Sequence, residues 1–307
     1  MKKVLVVYYS QTGQLSDIVA SILEPIVAAR TAKITTLSLQ PRPAYPFPWT
    51  TQSFCDVFPE SVAGVPCQLE PFDIDPDQSF DLIVLAYTVW YLSPSLPVQA
   101  FLRTPAAARL FPGTPVVTVI GCRNMWLLAQ EQVKQRLCEL DARLVGNVVL
   151  GDRASNLVGV ATIAYWMLTG RKERLLGIFP RPGVDAADIR GASRFGVIIR
   201  KALEHDMRSM DQQVLNAVGA VRVEPSYIIF EKRIQKVFRI WARFIRKKGG
   251  PGDPARQPRV RGFFYYLLVA IAVIAPLATI AGQIAIRLKK AKIEQAVAYF
   301  SHNAWEP

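Results

Sequence analysis

Ser10, Gln11, Thr12, Gly13, Gln14 and Leu15 are the consecutive residues of this chain whose types and spacing are best equipped for chemistry. Two hydroxyls, two amides and a glycine, with no charged side chain among them, directly follow the apolar run Val4-Leu5-Val6-Val7-Tyr8-Tyr9. That run is short, β-branched and aromatic, as expected of a buried parallel strand. After it, Leu15, Ile18, Val19, Ile22 and Leu23 recur at helical spacing. A loop that joins a strand end to a helix start presents unpaired backbone N–H groups and the positive end of the helix dipole, so it favours an anion. The loop lacks Lys and Arg and does not end in Gly-Lys-Ser/Thr, which argues against Mg²⁺-dependent triphosphate hydrolysis. Neutral donors suit a permanently held monophosphate. The alternative is an ordinary strand-to-helix turn capped by Ser10 or Thr12.

The elements that must position this loop follow from periodicity. Further strands are predicted over 33–39, 81–86, 115–121 and 143–150, with helical segments over 98–103, 127–140 and 188–210. Alternating strands and helices predict an α/β fold, a doubly wound five-stranded parallel sheet with helices on both faces. Ligands of such sheets sit outside the carboxyl ends of the strands at a topological switch point. Two more loops would converge there. One holds Thr88, Val89, Trp90 and Tyr91, whose aromatic pair can cover a planar ring; the other holds Gly121, Cys122, Arg123 and Asn124.

The first loop resembles that of the flavodoxin family, Ser/Thr-x-Thr-Gly-x-Thr/Ser, which holds the phosphate of FMN; Leu15 stands where that family has its last hydroxyl. Trp90-Tyr91 followed by Pro97-Val98-Gln99-Ala100-Phe101-Leu102 is similar to flavodoxin-like quinone reductases and NADPH-dependent FMN reductases, and Gly121-Cys122-Arg123-Asn124 falls where the family's third loop meets the flavin edge. The resemblance implies a flavodoxin-like fold, FMN as cofactor, and the residues of all three loops as its binding set. Tyr-x-Val-Trp-Tyr-Leu-Ser-Pro-Ser-Leu-Pro from Tyr87, Gly-Cys-Arg-Asn-Met-Trp from Gly121 and the long tail most resemble the flavodoxin-like proteins of dialkylresorcinol biosynthesis. Those accompany a ketosynthase, and the resemblance implies oxidative aromatisation of a lipophilic dialkylcyclohexanedione. Tyr87, Tyr91 and Asn124 are the polar candidates for orienting such a substrate, and no residue stands out as a base. A membrane-tethered electron carrier or NAD(P)H:quinone reductase, and a flavin-free membrane scaffold, remain as alternatives.

The formal charge of +13 is uneven. Residues 229–261 carry eleven Lys or Arg against Glu231 and Asp253. Within them Phe230, Ile234, Val237, Phe238, Trp241 and Ile245 share one helical face, which predicts a basic amphipathic helix on anionic lipid; the adjacent apolar segment favours lipid over nucleic acid or a calmodulin-like partner. Residues 249–254 read as a flexible break. Residues 263–286 hold no charged side chain and start with Phe263-Phe264-Tyr265-Tyr266, which predicts a membrane span with an aromatic belt. A hairpin bent at Pro276, or a helix docked on the first domain, are the alternatives. The greater number of Lys and Arg before the segment places the catalytic domain in the cytoplasm and the tail on the opposite side. On this pattern the chain divides into 1–210, a flavodoxin-like domain with an insertion at about 153–185; 211–261, amphipathic helix and linker; 262–287, membrane helix; and 288–307, a short tail. Residues 156–168 are apolar and suit a lid, a substrate-channel helix, a membrane-dipping segment or a buried helix. No signal peptide is expected, because the first apolar run is too short.

His205 and His302 are isolated, so neither a histidine-based triad nor a metal site is expected. Cys55, Cys67, Cys122 and Cys138 lack CxxC spacing and fit reduced thiols. The hard chemistry must then come from a cofactor.

Overall fold

The computed structural model describes residues 1–154, 156–207, 210–274 and 286–305. Strands β1 (Lys2–Tyr8), β2 (Ala32–Ser38), β3 (Leu82–Trp90), β4 (Pro115–Cys122) and β5 (Arg143–Gly151) pair in parallel in the order β2-β1-β3-β4-β5. This is the flavodoxin-like order, whose switch point lies between the first and third strands. The helices that concern the site are α1 (Gln14–Ala28), α2 (Thr51–Asp56), α3 (Phe58–Ala63), α4 (Leu96–Phe101), α5 (Leu127–Glu139), α6 (Asn156–Thr169), α7 (Ser193–Glu204), α8 (Pro225–Arg246), α9 (Gln257–Val269) and α10 (Lys290–Phe300).

Strand side chains alternate between two apolar layers, so the central strands are apolar on both faces. Val4, Val6, Leu82 and Val84 pack towards α1 and α7, through Ile18, Ile22, Phe195 and Ile199. Leu5, Val7, Ile83 and Leu85 pack towards α4 and α5, through Val98, Phe101, Val133 and Leu137. The third strand is longer than predicted, running on through Trp90 before a tight reversal in which Tyr91 and Leu92 take positive φ and Ser93–Pro94 pair back on it. The helix predicted over 188–210 is broken into Ala186–Gly191 and α7, which ends at Glu204; residues 208 and 209 lie outside the described residues.

A satellite core joins α2, α3, α8 and α9. Phe58 and Phe263 stack at 3.7 Å, and Phe238 meets Phe58 edge-on at 5.1 Å. The apolar face of α8 predicted to meet lipid is therefore covered by protein: Phe238, Ala242 and Ile245 are buried here, and Ile228 joins the second sheet layer. The reason is that this face meets equally large apolar side chains, Phe58 and Phe263, within its own chain. The predicted break at 249–254 is also ordered. Gly252 N–H donates to Asp56 Oδ2 at 2.8 Å, Asp253 caps the turn Pro254–Arg256, and the fully buried Arg256 bonds Asp56 at 2.8 Å and Glu60 at 2.9 Å.

The tail returns to the same domain. Ile293 and Phe300 of α10 enter the second sheet layer, Tyr299 Oη donates to Glu131 at 2.6 Å, Lys134 Nζ donates to Ala304 O at 3.1 Å, and Asn216 Nδ2 donates to Ser301 O at 2.9 Å. The span predicted over 262–287 passes through 275–285, which lie outside the described residues. Among the described residues no helix is long and apolar enough to cross a membrane. The described part of the tail, α10, thus packs on the same domain as α5.

Candidate functional site

Loop one leaves β1 at Tyr8 and enters α1 through Gly13, whose φ of 82° lies in the left-handed region that favours glycine. Gly13, at the N-cap of α1, has no side chain to cap it. Ser16 N–H donates to Ser10 Oγ at 3.3 Å and Asp17 N–H to Gly13 O at 3.1 Å. The remaining first-turn donors, the N–H groups of Gln14 and Leu15, have no acceptor among the described residues and follow Ser10 and Thr12 closely in the chain. Such a set of neutral donors suits an anion, and the loop is the candidate cradle for one. The Leu15 side chain is buried in the core, so its contribution to the cradle is its backbone.

The two glutamine side chains fix the walls on either side of the cradle. Gln11 donates to Pro46 O at 2.8 Å and accepts from Trp49 Nε1 at 3.1 Å. Gln14 pairs with the backbone of Val184, donating at 3.1 Å and accepting at 3.0 Å. Helix α6 closes this side: Met167 O accepts from Trp49 N–H at 2.8 Å, and Trp166 lies against Phe47 with ring centroids 6.2 Å apart. Of the readings open for 156–168, the structure shows a helix docked beside the first loop.

Trp90 stands at the end of β3 in an aromatic cluster, edge-on to Tyr9 at 5.9 Å, Tyr45 at 5.1 Å and Trp49 at 5.8 Å. Because Tyr9 precedes Ser10 and Trp49 bonds Gln11, the cluster adjoins the cradle. Burial raises the Tyr9 and Tyr45 phenols above their ordinary value, and the neighbouring Cys67 adds to it, so both stay protonated. Tyr45 and Trp49 escaped the sequence reading because they lie in a proline-rich passage without periodicity.

The expected Trp90-Tyr91 pair is divided. Tyr91 turns into the satellite core against Phe58 and Phe238 and donates its hydroxyl to Phe54 O at 2.6 Å. Tyr87 is fully buried and donates to Gln130 Oε1 at 2.5 Å, in a chain continued by Thr118 and Asn147. Both phenols are thus engaged by acceptors of the protein itself. Thr88 and Val89 are strand residues; Thr88 is the register partner of Gly121, and its carbonyl accepts from Ser95 N–H at 2.9 Å.

Gly121 allows α1 to approach β4, since a Cβ there would lie 3.2 Å from Leu15 Cδ1. Burial pushes the Cys122 thiol up to about 12, as does the nearby Glu231, so it is not a nucleophile at neutral pH. The Arg123 guanidinium is buried beside Tyr227 and Asp152, and Asn124 bonds Met125 N–H at 2.8 Å and the Tyr227 phenol. Among the described residues no cluster of His, Cys, Asp or Glu could hold a metal.

Sequence reasoning missed Tyr227 and Glu231. Both belong to α8, whose basic composition drew attention to lipid; the lone acid between Phe230 and Lys232 was the available signal. The buried Glu231 carboxylate accepts Leu127 N–H at 3.1 Å and Leu128 N–H at 2.7 Å, capping α5 from about a hundred residues away. Burial pushes this carboxyl up to about 7 from 4.5, and the N–H groups of Leu128, Leu127 and Trp126 pull it only part of the way back. Between pH 4.5 and 7 the unfolded chain has lost the proton that the folded chain keeps. The stability it contributes is therefore complete below 4.5 and lost as the pH rises to about 7, a change of at most about 3 kcal/mol. Urea unfolding over this window should show a falling slope in the native protein, and a Glu231→Gln variant should lack that slope. An equal slope in both would exclude Glu231 as its source.

The cradle and the aromatic cluster stand where β1 and β3 end, at the switch point of the sheet. Neutral donors fit a phosphate monoester, and the adjoining apolar wall fits an extended planar ring, so the residues present fit FMN.

No protein-family model and no curated protein matches the chain. Solved structures do. A flavoprotein from Lactobacillus acidophilus NCFM, in complex with FMN, is 16% identical over 48% of this chain and 93% of its own, with a TM-score of 0.39. A flavodoxin from the domain Archaea is 13% identical over 66% of this chain and 99% of its own, with a TM-score of 0.37. A flavone reductase is 10% identical over 68% of this chain and 65% of its own, with a TM-score of 0.37.

Proposed function

We propose that the chain is an FMN-dependent oxidoreductase acting on a lipophilic ring substrate at a membrane surface, with oxidative aromatisation of a dialkylcyclohexanedione to a dialkylresorcinol as its reaction. The observation that carries this reading is the neutral anion cradle next to the aromatic cluster at the sheet's switch point. The Gln14 and Leu15 N–H groups and the Ser10 and Thr12 hydroxyls would hold the FMN phosphate, and Tyr9, Tyr45, Trp49 and Trp90 would wall the ring. FMN, when bound, accepts the electron pair that leaves the substrate. The overall change removes two hydrogens from the dione, one as a proton and one with its electron pair, and enolisation gives the resorcinol. Asn124 and Arg123, fastened by Tyr227, sit on the loop expected at the flavin edge and supply a polar side for the ring oxygens. A ketosynthase, implied by the sequence resemblance, would supply the dione. The cytoplasmic leaflet is the anionic one, and the charge excess of 229–261 supports placing the sheet domain on that side.

Anaerobic mixing of the FMN-loaded full chain with a dialkylcyclohexanedione should bleach the flavin absorbance and release a product two hydrogens lighter. Bleaching by NADPH alone would overturn the aromatase reading in favour of a quinone reductase or electron carrier.

A further inference from the structure

One face of α9 and the turn that follows it is apolar, exposed and ordered by polarity along its axis. Arg261, Tyr265, Leu268, Val269 and Val273 are exposed at helical spacing, with Tyr265 at 65%, while the opposite side of the helix is buried through Val260 and Phe263. A sequence running from base to aromatic to aliphatic is what a helix shows as it passes from headgroups into acyl chains. Beside it, α8 exposes Lys236, Arg239, Ile240, Arg243, Phe244 and Lys247, a stripe at helical spacing in which two apolar side chains are flanked by bases. Arg259 of α9 stacks on the Phe244 ring at 4.0 Å and bonds its carbonyl, which ties the two exposed faces together. Where the chain is next described, Leu288 is 80% exposed among Arg287, Lys289 and Lys290.

These surfaces flank residues 275–285, which contain no charged side chain, and both flanks are docked on the sheet domain or its satellite core. We infer that the exposed faces of α8 and α9, with the basic entry to α10, form a docking surface for an anionic lipid leaflet, approached from one side. The bases complement lipid phosphate and carboxylate groups, and the apolar stripe of α9 enters the acyl region. This differs from the amphipathic helix expected from the sequence, in which the buried face of α8 met lipid: here the opposite, solvent-facing side does. It deepens the membrane part of the proposed function and supplies the geometry, with both termini on one side.

The test uses the full chain added to sealed, preformed vesicles and requires neither FMN nor substrate, so its failure is separable from failure of the oxidoreductase reading. Flotation with phosphatidylcholine vesicles containing phosphatidylglycerol should recover the protein, and vesicles of phosphatidylcholine alone should recover far less. The exposed double change Arg239→Ala/Arg243→Ala should weaken anionic binding on the order of tenfold or more. Leu268→Asp should abolish the binding that survives high salt. Epitopes at the two ends should both be cleaved by protease added outside. Equal binding to both vesicle types, binding unaffected by the variants, a protected C-terminal epitope, or self-association without vesicle binding would each overturn the proposal.

Discussion

Replacing Gly13 with valine is expected to raise the FMN dissociation constant by about tenfold or more. The φ of 82° at Gly13 turns the loop so that the Gln14 and Leu15 N–H groups lead into the cradle, and it lies in a region that costs L-residues about 1–2 kcal/mol and a β-branched residue more. Relief of that strain moves the donors out of line, and each 1.4 kcal/mol lost is about tenfold in affinity. A Cβ at Gly13 meets no atom within 4 Å, so the penalty is conformational and the core is left alone. Fluorescence titration with FMN reads the effect, and circular dichroism should show the secondary structure retained. Unchanged affinity would show that this loop does not hold the phosphate.

The second large effect is at Arg256. Burial disfavours its charge, but hydrogen bonds to Glu60 and then Asp56 outweigh that and leave its pKa above the ordinary guanidinium value. Truncation to alanine would leave Glu60 with only the more distant Arg246 at 3.7 Å and Asp56 with only the neutral donors of Gly252 and Gln257, and breaking a buried pair in this way costs up to about 3–5 kcal/mol. The midpoint of urea unfolding should fall accordingly. A triple change that also converts Asp56 and Glu60 to their amides should recover much of the loss, because no buried charge is then left without its partner and Arg246, which loses Glu60, is exposed to solvent. If Arg256→Ala alone were neutral, the satellite core would not depend on this pair. The consequence reaches the site, since α8 carries both the Phe238 of this core and the Tyr227 and Glu231 that fasten the fourth-strand loop.

The sheet was legible because its signal is local and repeated. Val4 to Val7 are apolar at every position, as a strand covered on both faces requires, and helical spacing follows within ten residues. The place of the first loop, between a strand end and a helix start, was legible for the same reason, being confined to six consecutive residues. What sequence could not supply was partnership at a distance. Nothing in Trp90-Tyr91 says that two positive-φ residues send the second ring to Phe58 while the first meets Trp49. The aromatic face of α8 has one pattern whether lipid or Phe58 and Phe263 cover it, and only the fold decides. Glu231 reads as one acid in a basic helix until α5 brings its first-turn N–H groups to it. Nor does the loop alone say that the Gln11 side chain is held by Pro46 and Trp49, or that of Gln14 by Val184.

The central claim, that the loop from Ser10 to Leu15 holds the phosphate of FMN, is tested most directly by titrating the purified, flavin-depleted chain with FMN and, in parallel, with riboflavin. The account predicts saturable binding of FMN with quenching of its fluorescence by the neighbouring tryptophans, and riboflavin binding weaker by about a hundredfold or more for want of the phosphate's charge-assisted hydrogen bonds. Equal affinity for the two flavins, or no binding of either, would contradict it.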